Sequence, residues 1–275
     1  MLNKALLTTV LLLSVSAAHG SFITFEAAGA VSADITATRN AFRTAVGGGT
    51  VAGANGSFGG VRREINWDGV PIGFADPSPL PANFFNINSP RGAVFSTPGT
   101  GFMVSANAGE SSPVLFGFPG DFQSFSAQRL FTAVGSPITD IHFFVPGTNT
   151  AATTSAFGLI FVDAEVADLT KLEFFDQNDA LIFSRNALVF GNQGLTFLGG
   201  VANAGERISR VRITSGQNTI VSNGTLGNLN DDVVVMDDFL YAEPTRLQRI
   251  PEPPTLALLS LGLLAVFTRR RSRAR

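Results

Sequence analysis

The sequence predicts an all-β protein: an antiparallel β-sandwich, jelly-roll-like, with one short N-terminal helix and a C-terminal membrane helix. Three observations predict it. From Gly101 onward, stretches rich in Phe, Val, Ile and Thr follow one another at roughly 8–15-residue spacing. Gly, Pro, Asn or Asp separates them, and the 275 residues include 29 glycines and 14 prolines to supply those turns. No alternation of strand and helix patterns runs through the chain, as a parallel α/β sheet would need.

In chain order, "SFITFEA" alternates between Phe22 and Glu26 and reads as the first strand. "DITATRNAFRTAVGGG" is the helix: Ile35, Thr38, Phe42 and Ala45/Val46 share one face, and Gly47 can stop it. "GGGTVAGANGSFGG" lacks the Lys-Ser/Thr of a phosphate loop and reads as a linker. "VPIGFADPSPLPANFF" is extended and Pro-rich. Then come the strands "GFMVSAN", "SPVLFGF", "RLFTAV", "DIHFFVPG", "AFGLIFVDAEV", "KLEFFDQND", "ALIFSRNALVF", "GLTFLGGV", "RISRVRITSG" and "DDVVVMDDFLY". Val211 and Ile213 alternate with Arg210 and Arg212, the pattern of a half-buried strand.

The two ends differ from this body. "MLNKALLTTVLLLSVSAAHG" has a lysine, a short apolar run and small residues, the layout of a signal peptide over 1–20. The β-sandwich is expected over 21–243 and a Pro-rich linker with the sorting motif over 244–254. A short transmembrane helix over 255–268 would reach about 21 Å, less than the ~30 Å hydrocarbon core. The basic tail 269–275 carries five arginines and would stay in the cytoplasm. Without the ends, residues 21–250 hold 13 basic against 20 acidic residues, so a nucleic-acid partner is not expected. The chain has no cysteine, which excludes disulfides, zinc thiolates and cysteine nucleophiles.

The ordered tail of "IPEPPT", apolar run and arginine block resembles the PEP-CTERM sorting signal of exported bacterial proteins. Pro251, Glu252 and Pro253 align with its namesake triplet. The resemblance implies an exosortase-type membrane processing enzyme as partner. It also implies transient anchoring in the inner membrane, then a cell-surface or extracellular location, in a bacterium that makes exopolysaccharide. "FGLIFVDAEVADLTKLEFFDQNDALIF", "ERISRVRITSG" and "DDVVVMDDFLY", with "RREINWDGVP" and "NSPRGAVFSTPGTGFMVSAN" upstream, resemble a group of exported bacterial sandwich proteins that carry the same tail. That likeness implies a fold and a location, and no activity. At Ala164–Glu165 the chain departs from the Val-Asp usual in that group.

An enzyme is not expected. His142 sits mid-strand and no Gly-x-Ser-x-Gly elbow accompanies it, so a Ser-His-Asp triad lacks its parts. A glycosidase needs two carboxyls about 5–9 Å apart, and the spacing of Glu64, Asp68, Asp163, Glu165 and Glu173 defines no such pair. Trp67, with Asn66 and Asp68 beside it, offers a face for a sugar ring; the other reading of "WDG" is a packed turn. Asp231, Asp232, Asp237 and Asp238 frame the last strand. Glu26 with Asp237 or Asp238 would suit calcium if the first and last strands lie side by side. The expected role is structural or carbohydrate-binding, with exopolysaccharide as the candidate ligand; a polysaccharide hydrolase or lyase is the alternative.

Overall fold

Two antiparallel sheets, one with strands buried on both faces and one with alternating burial, dominate the computed structural model, which describes residues 21–107, 114–220 and 232–247. The strands are β1 (Phe22–Gly29), β2 (Ser57–Phe58), β3 (Arg62–Ile65), β4 (Ala93–Ser96), β5 (Gly101–Val104), β6 (Phe131–Val134), β7 (Ile138–Phe143) and β8 (Ala152–Thr153). They continue as β9 (Ala156–Val162), β10 (Lys171–Phe175), β11 (Leu181–Asn186), β12 (Leu195–Ala202), β13 (Arg210–Thr214), β14 (Val235–Ala242) and β15 (Thr245–Arg246). One sheet runs β1-β12-β9-β14-β3-β2, with β6 also on β14 and β5 on β6; the other runs β11-β10-β13-β7-β4. All the ladders are antiparallel. The pairs β3·β14, β7·β13, β9·β12 and β10·β11 nest inside one another in sequence and alternate between the sheets, so the chain winds as one long folded hairpin.

Between the sheets lies an aromatic core. Phe157 and Phe239 from one sheet meet Phe174, Phe143 and Phe95 from the other. A second apolar layer covers the outer face of the larger sheet, where α1 (Ser32–Val46) buries Ile35 and Phe42 against Phe197, Ile160 and Leu240. The Asp34 carboxylate accepts from the Val31 N–H at 3.1 Å at its start, and Gly47 ends it at φ 92°. Its close seat depends on glycine. A Cβ on Gly199 would stand 2.9 Å from the Phe42 ring, and Gly158 faces Gly199 across the ladder.

Several expectations are corrected here. Leu115–Gly117 of "SPVLFGF" forms a tight turn rather than a strand, because Leu115 and Phe116 both take positive φ. The Pro-rich stretch holds a 3-10 turn at Ile72–Phe74 and a helical turn, α2 (Phe84–Ile87), whose backbone polar groups pair locally. Thr245 and Arg246, expected in the linker, pair with Thr153 and Ala152. β1 and β14 share a sheet but are not neighbours: β12 and β9 lie between them. The signal segment 1–20, the membrane helix 255–268 and the tail 269–275 lie outside the described residues. Among the described residues no helix is long and apolar enough to cross a membrane.

Candidate functional site

Trp67 follows β3 directly and begins a turn closed by the Val70 N–H on its carbonyl at 2.9 Å. Its backbone φ of 64° turns the ring back under the sheet. There it is 1% exposed, stacked on Phe131 at 4.1 Å and met edge-on by Phe85 and Phe239. Its indole N–H donates to the Asp237 carbonyl at 3.1 Å. Both faces of the ring are therefore spent inside the protein, and the sugar-stacking platform expected of Trp67 is corrected to a wall of the core. Asp68 turns away: its carboxylate accepts from the Arg129 N–H at 3.1 Å and the Ser126 hydroxyl at 3.4 Å. Asn66 alone of the three stays exposed.

Asn66 opens onto a cavity of about 190 Å³. One wall is the Asn66–Pro71 turn, with the edge of Trp67, Gly69 and Val70; the other is α2 and the segment after it, with Phe84, Phe85, Asn88, Ser89 and Arg91. The cavity thus pairs apolar rings with amide and hydroxyl groups, the mixture ligand sites use. Arg91 is held from several sides. Its Nε donates to the Glu64 carbonyl at 3.0 Å and its Nη1 to the Ser89 hydroxyl, and its guanidinium lies 5.0 Å from the Phe85 ring centre. The Tyr241 hydroxyl donates to the Arg91 carbonyl at 3.1 Å. Sequence reading missed Arg91, Asn88 and Ser89. The available signal was a single arginine between Pro90 and Gly92 in an otherwise uncharged polar stretch.

The proposed cation set is not assembled. Glu26 lies opposite Leu198, which lies opposite Leu159, which lies opposite Phe239. Three strand spacings of about 4.8 Å separate Glu26 from β14. Glu26 instead pairs with Arg185 at 2.5 Å, which holds its carboxyl below the usual range. Asp237 and Asp238 sit where β14 shifts register against β9, so two residues oppose the single position Ile160. That bulge overturns the expected alternation. Met236 and Phe239 face the inner core, Val235 and Leu240 the outer layer, and both aspartates between them turn to the outer, α1 side. Asp237 accepts from the Phe125 and Ser126 N–H groups at 2.6 and 3.1 Å; Asp238 meets Arg39 at 3.5 Å. Burial pushes both carboxyls up, Asp237 well above its ordinary value and Asp238 to about 6. Among the described residues no group of three acids or histidines could hold a metal.

Several other carboxylates have structural partners. Glu64 pairs with Arg43 and Arg62 on the α1 side, and Glu173 with Lys171. Asp163 accepts from the Gln193 N–H at 2.7 Å, and burial raises its pKa to about 7. Asp232 accepts from the Glu165 and Val166 N–H groups, and burial raises it too. Asp231 and Pro251, Glu252 and Pro253 lie outside the described residues.

Fold and cavity together define an all-β antiparallel protein with a small polar cavity at the edge of its core. The chain also carries a PEP-CTERM protein-sorting motif: the family model of that description matches residues 249–271. The motif is a substrate signal for exosortase, a membrane processing enzyme, and it implies an exported, C-terminally sorted protein. No curated protein matches the chain.

Proposed function

We propose that this exported, tail-sorted protein is a non-catalytic carbohydrate-binding module of the cell surface or extracellular matrix, taking one sugar residue in the cavity between Asn66–Pro71 and Phe84–Arg91. The observation that carries this reading is the lining: Asn66 and Asn88 present amide groups beside Val70, Phe84 and Phe85. Hydroxyl-rich ligands are recognised by such groups set against an apolar wall. A volume near 190 Å³ is below the roughly 300–1,000 Å³ of sites for drug-sized ligands, which matches a single ring. The shallower depression lined by Glu26, Arg185 and Leu188 supports a ligand less well, because its two charged groups satisfy each other. Catalysis finds no support in Asp237 and Asp238, which are 0% and 4% exposed.

The test is a titration of the full-length chain with a panel of mono- and oligosaccharides. Affinities nearer ~1 mM than ~1 nM are expected for one small site. Asn88→Ala should weaken binding several-fold without changing the melting temperature. A panel in which no sugar binds would leave a purely structural role.

A further inference from the structure

We propose that the cavity selects an acidic sugar, binding the carboxylate of a uronic acid through Arg91. This rests on the carbohydrate-binding reading of the same cavity. Arg91 is enclosed on several sides, yet no aspartate or glutamate pairs with it among the described residues. Arg91 is half-buried, so its unpaired guanidinium keeps part of its solvent access and can meet an anion from the cavity. The two nearest candidates are engaged elsewhere. The Glu64 side chain projects to the opposite face of β3, where Arg43 and Arg62 hold it; only its backbone carbonyl meets Arg91. Glu243 is held by both Nε and Nη2 of Arg63. Nε and Nη1 of Arg91 are occupied, and Nη2 makes no hydrogen bond among the described residues.

The fork is also built in. Gly56, at φ 62°, leaves the space it needs: a Cβ there would stand 2.6 Å from Arg91 Nε. The Arg91 N–H donates to the Phe85 carbonyl at 2.8 Å and the Arg91 carbonyl accepts from Tyr241, so the backbone beneath the side chain is fixed. A cation fixed before the ligand arrives costs little ordering on binding. Burial holds its pKa below the ordinary arginine value, and no acid offsets that lowering. With Nε and one Nη1 hydrogen already used, Nη2 is left to give a ligand carboxylate a charge-assisted hydrogen bond. The amides of Asn66 and Asn88 would meet the ring hydroxyls beside it.

The experiment titrates the full-length chain with galacturonate and glucuronate disaccharides, with their neutral hexose counterparts, with the methyl esters of the acids, and with a 6-sulfated neutral disaccharide. A charge-assisted hydrogen bond predicts about tenfold tighter binding of an acid than of its ester or neutral counterpart. Arg91→Gln should bring acid and neutral sugar to the same affinity; the ester comparison makes the same point with the protein unaltered. Equal binding of acid, ester and neutral sugar would overturn the charge selection and leave the cavity reading standing. Equal binding of the sulfated sugar would overturn the carboxylate assignment. Absence of binding by every probe would overturn the cavity reading itself.

Discussion

Trp67 lies flat on Phe131, with ring centroids 4.1 Å apart and planes 2° from parallel. The pair joins the turn after β3 to β6, and Phe85 and Phe239 close on the indole edge-to-face. Such a ring is part of the core, and its loss leaves a large void. Trp67→Ala is expected to destabilise the protein by roughly 3–5 kcal/mol. Trp67→Phe keeps the stack and loses the bond to the Asp237 carbonyl, so it should cost less. Denaturant melts of both variants check this; a Trp67→Ala protein as stable as the parent would refute the core assignment.

Gly199 and Phe42 make the second test. Placing a Cβ 2.9 Å from the ring requires Phe42 or the whole of α1 to move. Gly199→Ala is expected to lower stability by about 1–3 kcal/mol through overpacking. Combining it with Phe42→Leu should cost less than the sum of the two changes, because the clash disappears with the ring. Strict additivity in the double-mutant cycle would show that the glycine serves another purpose.

These two pairs show what a single sequence reveals. The alternation of Val211 and Ile213 with Arg210 and Arg212 is local, and it marked β13 correctly; Phe42's place on the apolar face of α1 was equally legible. Gly199 was not, since its purpose lies in a ring more than a hundred residues away. Nor was the bulge at Asp237–Asp238, because a register shift is a property of two strands and β14 alone reads as plain alternation. The cavity failed for the same reason. Asn66 was picked out beside Trp67, but Arg91 is meaningful only once the turn and α2 are folded against each other, and nothing periodic marks it.

The sorting tail gives a prediction in the native host. The motif matched at residues 249–271 is an exosortase substrate signal, and the last described strand, β15, precedes it, held on β8 with Arg207 donating to Thr153 and Thr245. Processing should therefore leave the sandwich intact and remove the arginine block. Intact-mass measurement of surface-extracted protein should lack residues 269–275. Glu252→Ala should increase the uncleaved precursor in the inner membrane. A mature pool retaining the full C-terminus would contradict the assignment.

Acid should stabilise this protein within a limited range, through Asp237 and Asp238. Both carboxyls are buried together on the α1 side of β14, and burial raises both, Asp238 from 3.8 to about 6. Asp163, raised to about 7, acts in the same direction. A raised folded-state pKa means the folded chain holds the proton more tightly than the unfolded one. The resulting stabilisation is complete below the unfolded value near 4 and is lost as the pH climbs through 6 to 7. Glu26 and Asp140 work oppositely, since their arginine partners lower them, but their stabilisation is lost only as the pH falls below about 4; His142, which burial lowers, opposes the trend below its ordinary value near 6.5, as one group against three. Stability should thus peak near pH 4–5 and fall as the pH rises to 7.5. Asp238→Asn, which removes one titration and retains a hydrogen-bonding group, should flatten that fall. The check is the melting temperature of the full-length chain and the variant between pH 4 and 8: a parent curve that rises from pH 5 to 7.5, or an unchanged slope in the variant, would show that the pair does not hold its proton in the folded protein.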